Sequence, residues 1–174
     1  MTLMEFLLEN RDNRSVLAAL RQGLSPATET RAWPLLARFG GIGQTPEACA
    51  ARTVAALFAR HPENCVTGNM GDTCRRLCRG TDEHPWDTVD GEGEAVPPGP
   101  VGRRFDWLLA ADAEEICGRV ARVVLHAGRR GIPINYAQLE KDLSLWPDQR
   151  VREAWAAAFW APKKGRKADE EPAP

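Results

Sequence analysis

The chain has 174 residues, 43% of them hydrophobic, with 23 basic and 24 acidic side chains and a formal net charge of −1. That length suffices for one domain or two small bundles, and no apolar run approaches the roughly 20 residues that span a bilayer. The near-neutral total excludes a generally basic, non-specific nucleic-acid binder but not a basic surface balanced elsewhere.

The N-terminus MTLMEFLLENRDNR mixes acids with its apolar residues and lacks the basic start and small-residue cleavage site of a secretory leader. A cytoplasmic protein is expected. Five cysteines, an odd number without framework spacing, argue for reduced thiols. Residues 2–10 predict a short helix with Leu3, Phe6 and Leu7 inward. Asp12-Asn13 can cap a second, Arg14 to Leu24, with Val16, Leu17 and Leu20 on its apolar side. Residues 25–40 read as interrupted helix, because Pro34 removes a backbone donor. Gly40-Gly41-Ile42-Gly43 follows as a loop. A glycine cluster can cradle phosphate, but no GxxxxGK[ST] follows this one.

Thr45-Pro46-Glu47 is a strong helix start, with a cap, a proline in the first turn and an acid favoured by the dipole. That helix runs to about Arg60, with Val54, Leu57 and Phe58 in the core. TGNMGDTCRRLCRG predicts another, from about Asn69 to Arg79. Met70, Cys74, Leu77 and Cys78 share one of its faces; Arg75, Arg76 and Arg79 share the opposite one. Residues 81–101 are rich in Gly, Pro and acid, without periodicity, and predict a long mobile loop. Residues 81–100 carry Asp82, Glu83, Asp87, Asp90, Glu92 and Glu94 and no Lys or Arg, so this segment is −6 and the rest of the chain +5.

Residues 102–160 predict consecutive helices with marked breaks. Asp112 and Glu115 have capping-box spacing ahead of the longest. Gly131 closes it and Ile132-Pro133-Ile134 cannot continue it. Asn135 with Gln138 repeats the cap, and Trp146-Pro147-Asp148 separates the last helix. On the long helix Ile116, Val120, Val123, Val124 and Ala127 form an apolar face. Arg119, Arg122, His126, Arg129 and Arg130 fall within an arc of roughly 100° elsewhere. Guanidinium groups about one turn apart suit phosphates, which they bind in a bidentate fashion; the bland reading is a solvated face. Residues 162–174, PKKGRKADEEPAP, predict a disordered charged tail. The class is all-α: two small helical bundles, 1–80 and 102–161, joined by the acidic loop.

Little here suggests catalysis or metal. His61, Cys65, Cys74 and Cys78 lack the tight paired spacing of a zinc site, and Cys74 and Cys78 lie on an apolar face. No GxSxG, HExxH or similar motif surrounds the three histidines. No cofactor is expected, and no enzyme. Trp107, Trp155 and Trp160 sit on apolar faces and predict core or subunit contacts, while Trp86 stands in the acidic loop, where it could dock on a partner.

The run RRFDWLLAAD, then RVARVVLHAG, then GIPINYAQLEKDLSLW, then VREAWAAAFW resembles, piece by piece and in order, the CasB family. CasB is the small subunit of the type I-E CRISPR surveillance complex, Cascade. LAALRQGL and the Arg-Arg-Leu helix extend the resemblance more loosely into the N-terminal half. The resemblance implies an all-helical, non-catalytic subunit, present as a pair inside Cascade. Its partners would be a second copy of itself, the backbone and large subunits, the guide RNA and the target DNA. It would support the heteroduplex and the displaced strand through backbone contacts, leaving sequence to the guide. Arg103 and Arg104 match the family's Arg pair, Arg119 and Arg122 its basic helix, and Arg75 and Arg76 the looser motif. Arg129 and Arg130 join them on helical geometry. The long acidic loop and the longer break near Arg129-Arg130 depart from the family. The alternative is a helical adaptor that binds only protein, its Arg rows paired with acids. A transcriptional regulator would need a capped helix-turn-helix, which is missing.

Overall fold

Nine α-helices form where caps and periodicity place them in the computed structural model, which describes residues 1–161. The predicted tail, 162–174, lies outside the described residues. Thr2 and Glu5 close a reciprocal capping box on α1 (Leu3–Glu9), and Asn13 caps α2 (Arg14–Arg21). Pro34 falls in the first turn of a four-residue helix, α3 (Trp33–Leu36), where its missing N–H costs nothing. Thr45 Oγ1 accepts the Ala48 N–H at 3.2 Å and opens α4 (Pro46–Phe58). Asn69 and Asp72 form a second capping box on α5 (Met70–Leu77). The chain continues with α6 (Pro100–Leu109), α7 (Ile116–Arg129), α8 (Tyr136–Ser144), capped by Asn135, and α9 (Gln149–Trp160), capped by Asp148. Gly131, at φ 65°, ends the α7 segment in the left-handed conformation that glycine adopts without strain. The described residues contain no β-strand, only two isolated bridges. The class is all-α.

The Asp112 signal is half realised. Its Oδ1 accepts the N–H groups of Glu114 and Glu115, each at 2.9 Å, in a turn that precedes α7. Glu115 pairs with Arg119 instead of returning to Asp112, so the box does not close.

The core departs from two bundles. A single cluster of buried side chains runs from Leu3 to Phe159 and draws on both halves of the chain. The reason lies in α4, which is buried on every side: Ala50, Val54, Ala55, Ala56, Leu57 and Phe58 have no exposed surface. A helix covered on nearly every side belongs in an interior; its buried charge, Arg52, is paired with Glu29, and its alanines let neighbours approach closely. It packs on α2 in front and on α7 and α8 behind. In the same way α5 packs on α9, with Gly71 against the Trp155 carbonyl, where a Cβ would collide. Trp146 and Trp155 pack at a tilt with ring centroids 4.8 Å apart, and Phe105 and Phe159 stack at 4.1 Å. Buried Asp142 accepts the Trp155 indole N–H at 2.6 Å and the Gln138 amide at 2.7 Å, and burial raises its pKa.

Residues 81–99 have no helix, as expected, yet they are pinned at both ends. Thr81 Oγ1 donates to the Cys78 carbonyl at 2.7 Å. The Glu83 carboxylate accepts from Val101 N at 2.9 Å and Gly102 N at 3.1 Å, supplying α6 with the cap that Gly99 lacks. One acid of the loop is therefore a structural cap.

Candidate nucleic-acid interface

The tight turn at Asp112 folds α7 back along α6 and brings two Arg rows together. Arg103, Arg104 and Trp107 come from α6; Arg119, Arg122, His126 and Arg129 come from α7. A groove of about 510 Å³ between them is lined by Arg104, Trp107, Arg122, Val123, Leu125, His126 and Arg129, with no carboxylate. Trp107 forms the floor. It is half-buried rather than part of the core, and it lies under two cations: the Arg119 and Arg122 guanidinium carbons are 4.6 Å and 5.2 Å from its ring centroid. Such contacts fix both arginines and shield the ring.

The arginines of this surface are not equivalent. Arg119 is the least exposed, at 15%, and donates to the Trp107 carbonyl and to Glu115. It ties α7 to α6. Arg103 and Arg104 are exposed; Arg103 donates to the Pro98 carbonyl at 2.8 Å, and Arg104 Nη1 contacts His126 Nδ1 at 3.1 Å. A guanidinium has no acceptor, so that contact requires a lone pair on Nδ1 and favours a neutral imidazole. Burial, and then the charges of Arg104, Arg130 and Arg129, lower the His126 pKa accordingly. Arg122, Arg129 and Arg130 are exposed, and among the described residues none of Arg103, Arg104, Arg122, Arg129 or Arg130 pairs with a carboxylate.

Arg75 and Arg76 stand outside this groove. Arg75 donates to the carbonyls of Ala158 and Ala161 and lies over the Trp86 ring, 4.7 Å from its centroid. Arg76 reaches Cys65 Sγ at 3.9 Å. The two regions meet at Arg130, whose Nη2 donates to the Arg79 carbonyl at 3.1 Å. Trp107 and Arg79 were legible as residues but not as parts of a site. Trp107 reads as apolar-face core until α7 is laid beside it.

The other constellations resolve as packing. Cys74 and Cys78 are buried, and burial raises both thiols, Cys78 to about 11. His61 Nε2 contacts the Ile132 carbonyl at 2.7 Å, away from them. The Gly40–Gly43 loop presents acceptors, not donors: the carbonyls of Gly41 and Gly43 receive Arg52 at 3.1 Å and 2.5 Å.

The sequence matches the family described as CRISPR-associated protein Cse2 over residues 16–160. The chain belongs to the Cse2 family. Solved structures share its fold. A CRISPR-associated protein of the Cse2 family from Thermus thermophilus superposes with a TM-score of 0.69 at 24% identity, covering 90% of this chain and 94% of that one. CasB from Thermobifida fusca gives 0.62 at 22% identity, over 90% and 89%. A chain of a CRISPR RNA-guided surveillance complex gives 0.68 at 18% identity, over 90% and 88%. No curated protein sequence matches the chain significantly.

Proposed function

We propose that the chain is the non-catalytic small subunit of a type I-E Cascade complex and that it holds the guide RNA–target DNA heteroduplex and the displaced strand by their phosphates. The observation that carries this is the α6–α7 surface: exposed guanidinium groups of Arg104, Arg122 and Arg129 in the groove, with Arg103 and Arg130 beside it, unpaired with acids among the described residues, in a chain of the Cse2 family. A cation without a carboxylate partner keeps its charge for an external anion, and spaced guanidiniums on a rigid helix suit a polyphosphate backbone. The membership of a structural neighbour in an RNA-guided surveillance complex supports the same setting, with other Cascade subunits, guide RNA, target DNA and a second copy of this chain as partners. Sequence would be read by base pairing, so charge and shape suffice here. Arg119 serves by holding Trp107 and the groove wall, and Arg75 and Arg76 act from the adjoining surface. An adaptor binding only protein would pair its Arg rows internally; in the α7 row only Arg119 has a carboxylate partner among the described residues.

The test is a target-DNA titration at several salt concentrations with Cascade carrying Arg104→Glu and Arg122→Glu. Both side chains lie off the core, so the fold and the assembly should persist. Affinity should fall similarly for every matched target, and the salt dependence should lose about one unit of slope per lost phosphate contact. Unchanged affinity and slope in an intact complex would leave the groove a solvated face.

A further inference from the structure

A second concave site lies between α5 and the start of the acidic loop. It has a volume of about 530 Å³, within the range of ligand-sized pockets. Its lining combines three guanidinium groups, Arg75, Arg76 and Arg79, with an indole, Trp86, and the His84 imidazole. Trp86 remains 41% exposed although Arg75 lies over its ring, and His84 leans on it at 5.4 Å. Two carboxylates share the pocket, and both are already engaged with backbone donors. Asp72 accepts from Asn69 N at 3.0 Å, and Glu83 caps α6. Arg75 spends its hydrogen bonds on neutral carbonyls and keeps its charge. Among the described residues none of the three arginines pairs with an acid.

We propose that this pocket takes one nucleotide of single-stranded nucleic acid, its unpaired base packed against Trp86 and its phosphate on Arg76 and Arg79. The proposal rests on the reading that the α6–α7 groove handles nucleic acid and gives that reading a strand preference. An aromatic ring offers a π-face that any base can stack on, but only an unpaired base can leave its duplex to reach it. The flanking cations supply the backbone charge, so the site recognises the pair of features that a single strand presents together. Its position fits a continuous path. Arg130, at the end of α7, hydrogen-bonds the Arg79 carbonyl and lies beside Gly80 on the pocket rim. A strand following the α7 arginines is delivered to Trp86. A displaced DNA strand, whose bases have lost their partners, is the chemical class that meets these requirements.

The experiment uses the full chain at low salt and three probes by fluorescence anisotropy: an oligothymidylate, an abasic oligonucleotide of the same length, and a duplex. Wild type should prefer the oligothymidylate over the abasic strand by about tenfold, the worth of one stacked base. Trp86→Ala should bring the oligothymidylate down to the abasic level and leave abasic and duplex binding unchanged. Trp86→Phe should keep most of the preference. Arg104→Glu with Arg122→Glu should weaken all three probes. A Trp86→Ala protein that keeps the preference, or a wild type that shows none, overturns the pocket. Loss of the preference in Trp86→Ala with no effect of the groove substitutions would instead overturn the groove and leave the pocket standing.

Discussion

Arg52 and Arg122 carry the same charge in opposite circumstances. Arg52 is buried and fully partnered: its Nε lies 3.3 Å from Glu29 Oε2, and its Nη1 donates to the carbonyls of Gly41 and Gly43. It clamps the segment before α4 onto that helix. Removing one member of a buried pair strands the other, so Arg52→Ala should cost about 3 kcal/mol, read as a shift of the urea midpoint. The exposed Arg129→Ala should stay within about 0.5 kcal/mol of wild type. Equal midpoints for both would sink the distinction. His126 gives the groove a pH response. Burial and the charges of Arg104, Arg130 and Arg129 hold its pKa below the ordinary value, so the folded chain binds fewer protons than the unfolded one. Its contribution to stability is complete above about pH 6.5 and fades as pH falls through the lowered pKa. A phosphate in the groove offsets the guanidinium field, raises that pKa and draws in a proton. DNA affinity should therefore rise as pH drops from about 7.5 to about 6. Titrations of wild type and His126→Gln at both values check this, and a variant with the same pH response as wild type would remove His126 from the account.

At the scale of the helix, close approach decides what can be changed. Gly71 in α5 faces the Trp155 carbonyl of α9 with no room for a methyl, whereas Gly118 in α7 faces open space. Gly71→Ala should therefore destabilise by about 3 kcal/mol through separation of the two helices. Gly118→Ala should stabilise by about 0.5–1 kcal/mol, because alanine loses less backbone freedom in a helix interior. Chemical denaturation of the two variants gives opposite signs if the α5–α9 contact is as described. The same contrast explains what could be read from the chain. Caps at Thr45 and Asn135, the breaks at Gly131 and Trp146-Pro147-Asp148 and the apolar face of α7 depend on neighbours within one or two turns, and all were legible. The all-round burial of α4 and the capping of α6 by Glu83 depend on partners far away in sequence, so periodicity alone misses them. The candidate site divides likewise. A 3.6-residue repeat reveals the Arg rows, but that Arg119 braces Trp107 while Arg122 stays exposed appears only when α6 lies against α7.

For the whole molecule, the course of the chain matters more than the acidic loop that divides it. Composition suggests two bundles separated by residues 81–101, yet the buried side chains of both halves form one cluster. The first half contributes α4, whose apolar surface is closed by α7 and α8, and α5, closed by α9 and α6. Even the linking segments cross: the Tyr136 hydroxyl donates to the His61 carbonyl at 2.6 Å, and Ile134 N donates to the Glu63 carbonyl at 2.9 Å. A fragment of residues 1–80 would expose Phe58, which packs on Tyr136, together with the sides of α4 and α5 that α7, α8, α6 and α9 cover. Each fully buried aliphatic or aromatic side chain contributes about 1.5–3 kcal/mol, while a domain has only about 5–15 kcal/mol of net stability. The fragment therefore has no margin to fold. The intact chain should unfold in one transition, with far-UV circular dichroism and tryptophan fluorescence coincident. Residues 1–80 and 81–174 made separately should each lack a cooperative melt, and mixing them should restore helix and the melt together. A cooperative melt of 1–80 alone would show that the halves are independent bundles after all. The interlocking also fixes the proposed nucleic-acid surface, because the groove arginines come from α6 and α7 while the pocket beside them is built on α5. Only a chain folded as one body can hold both along a single path.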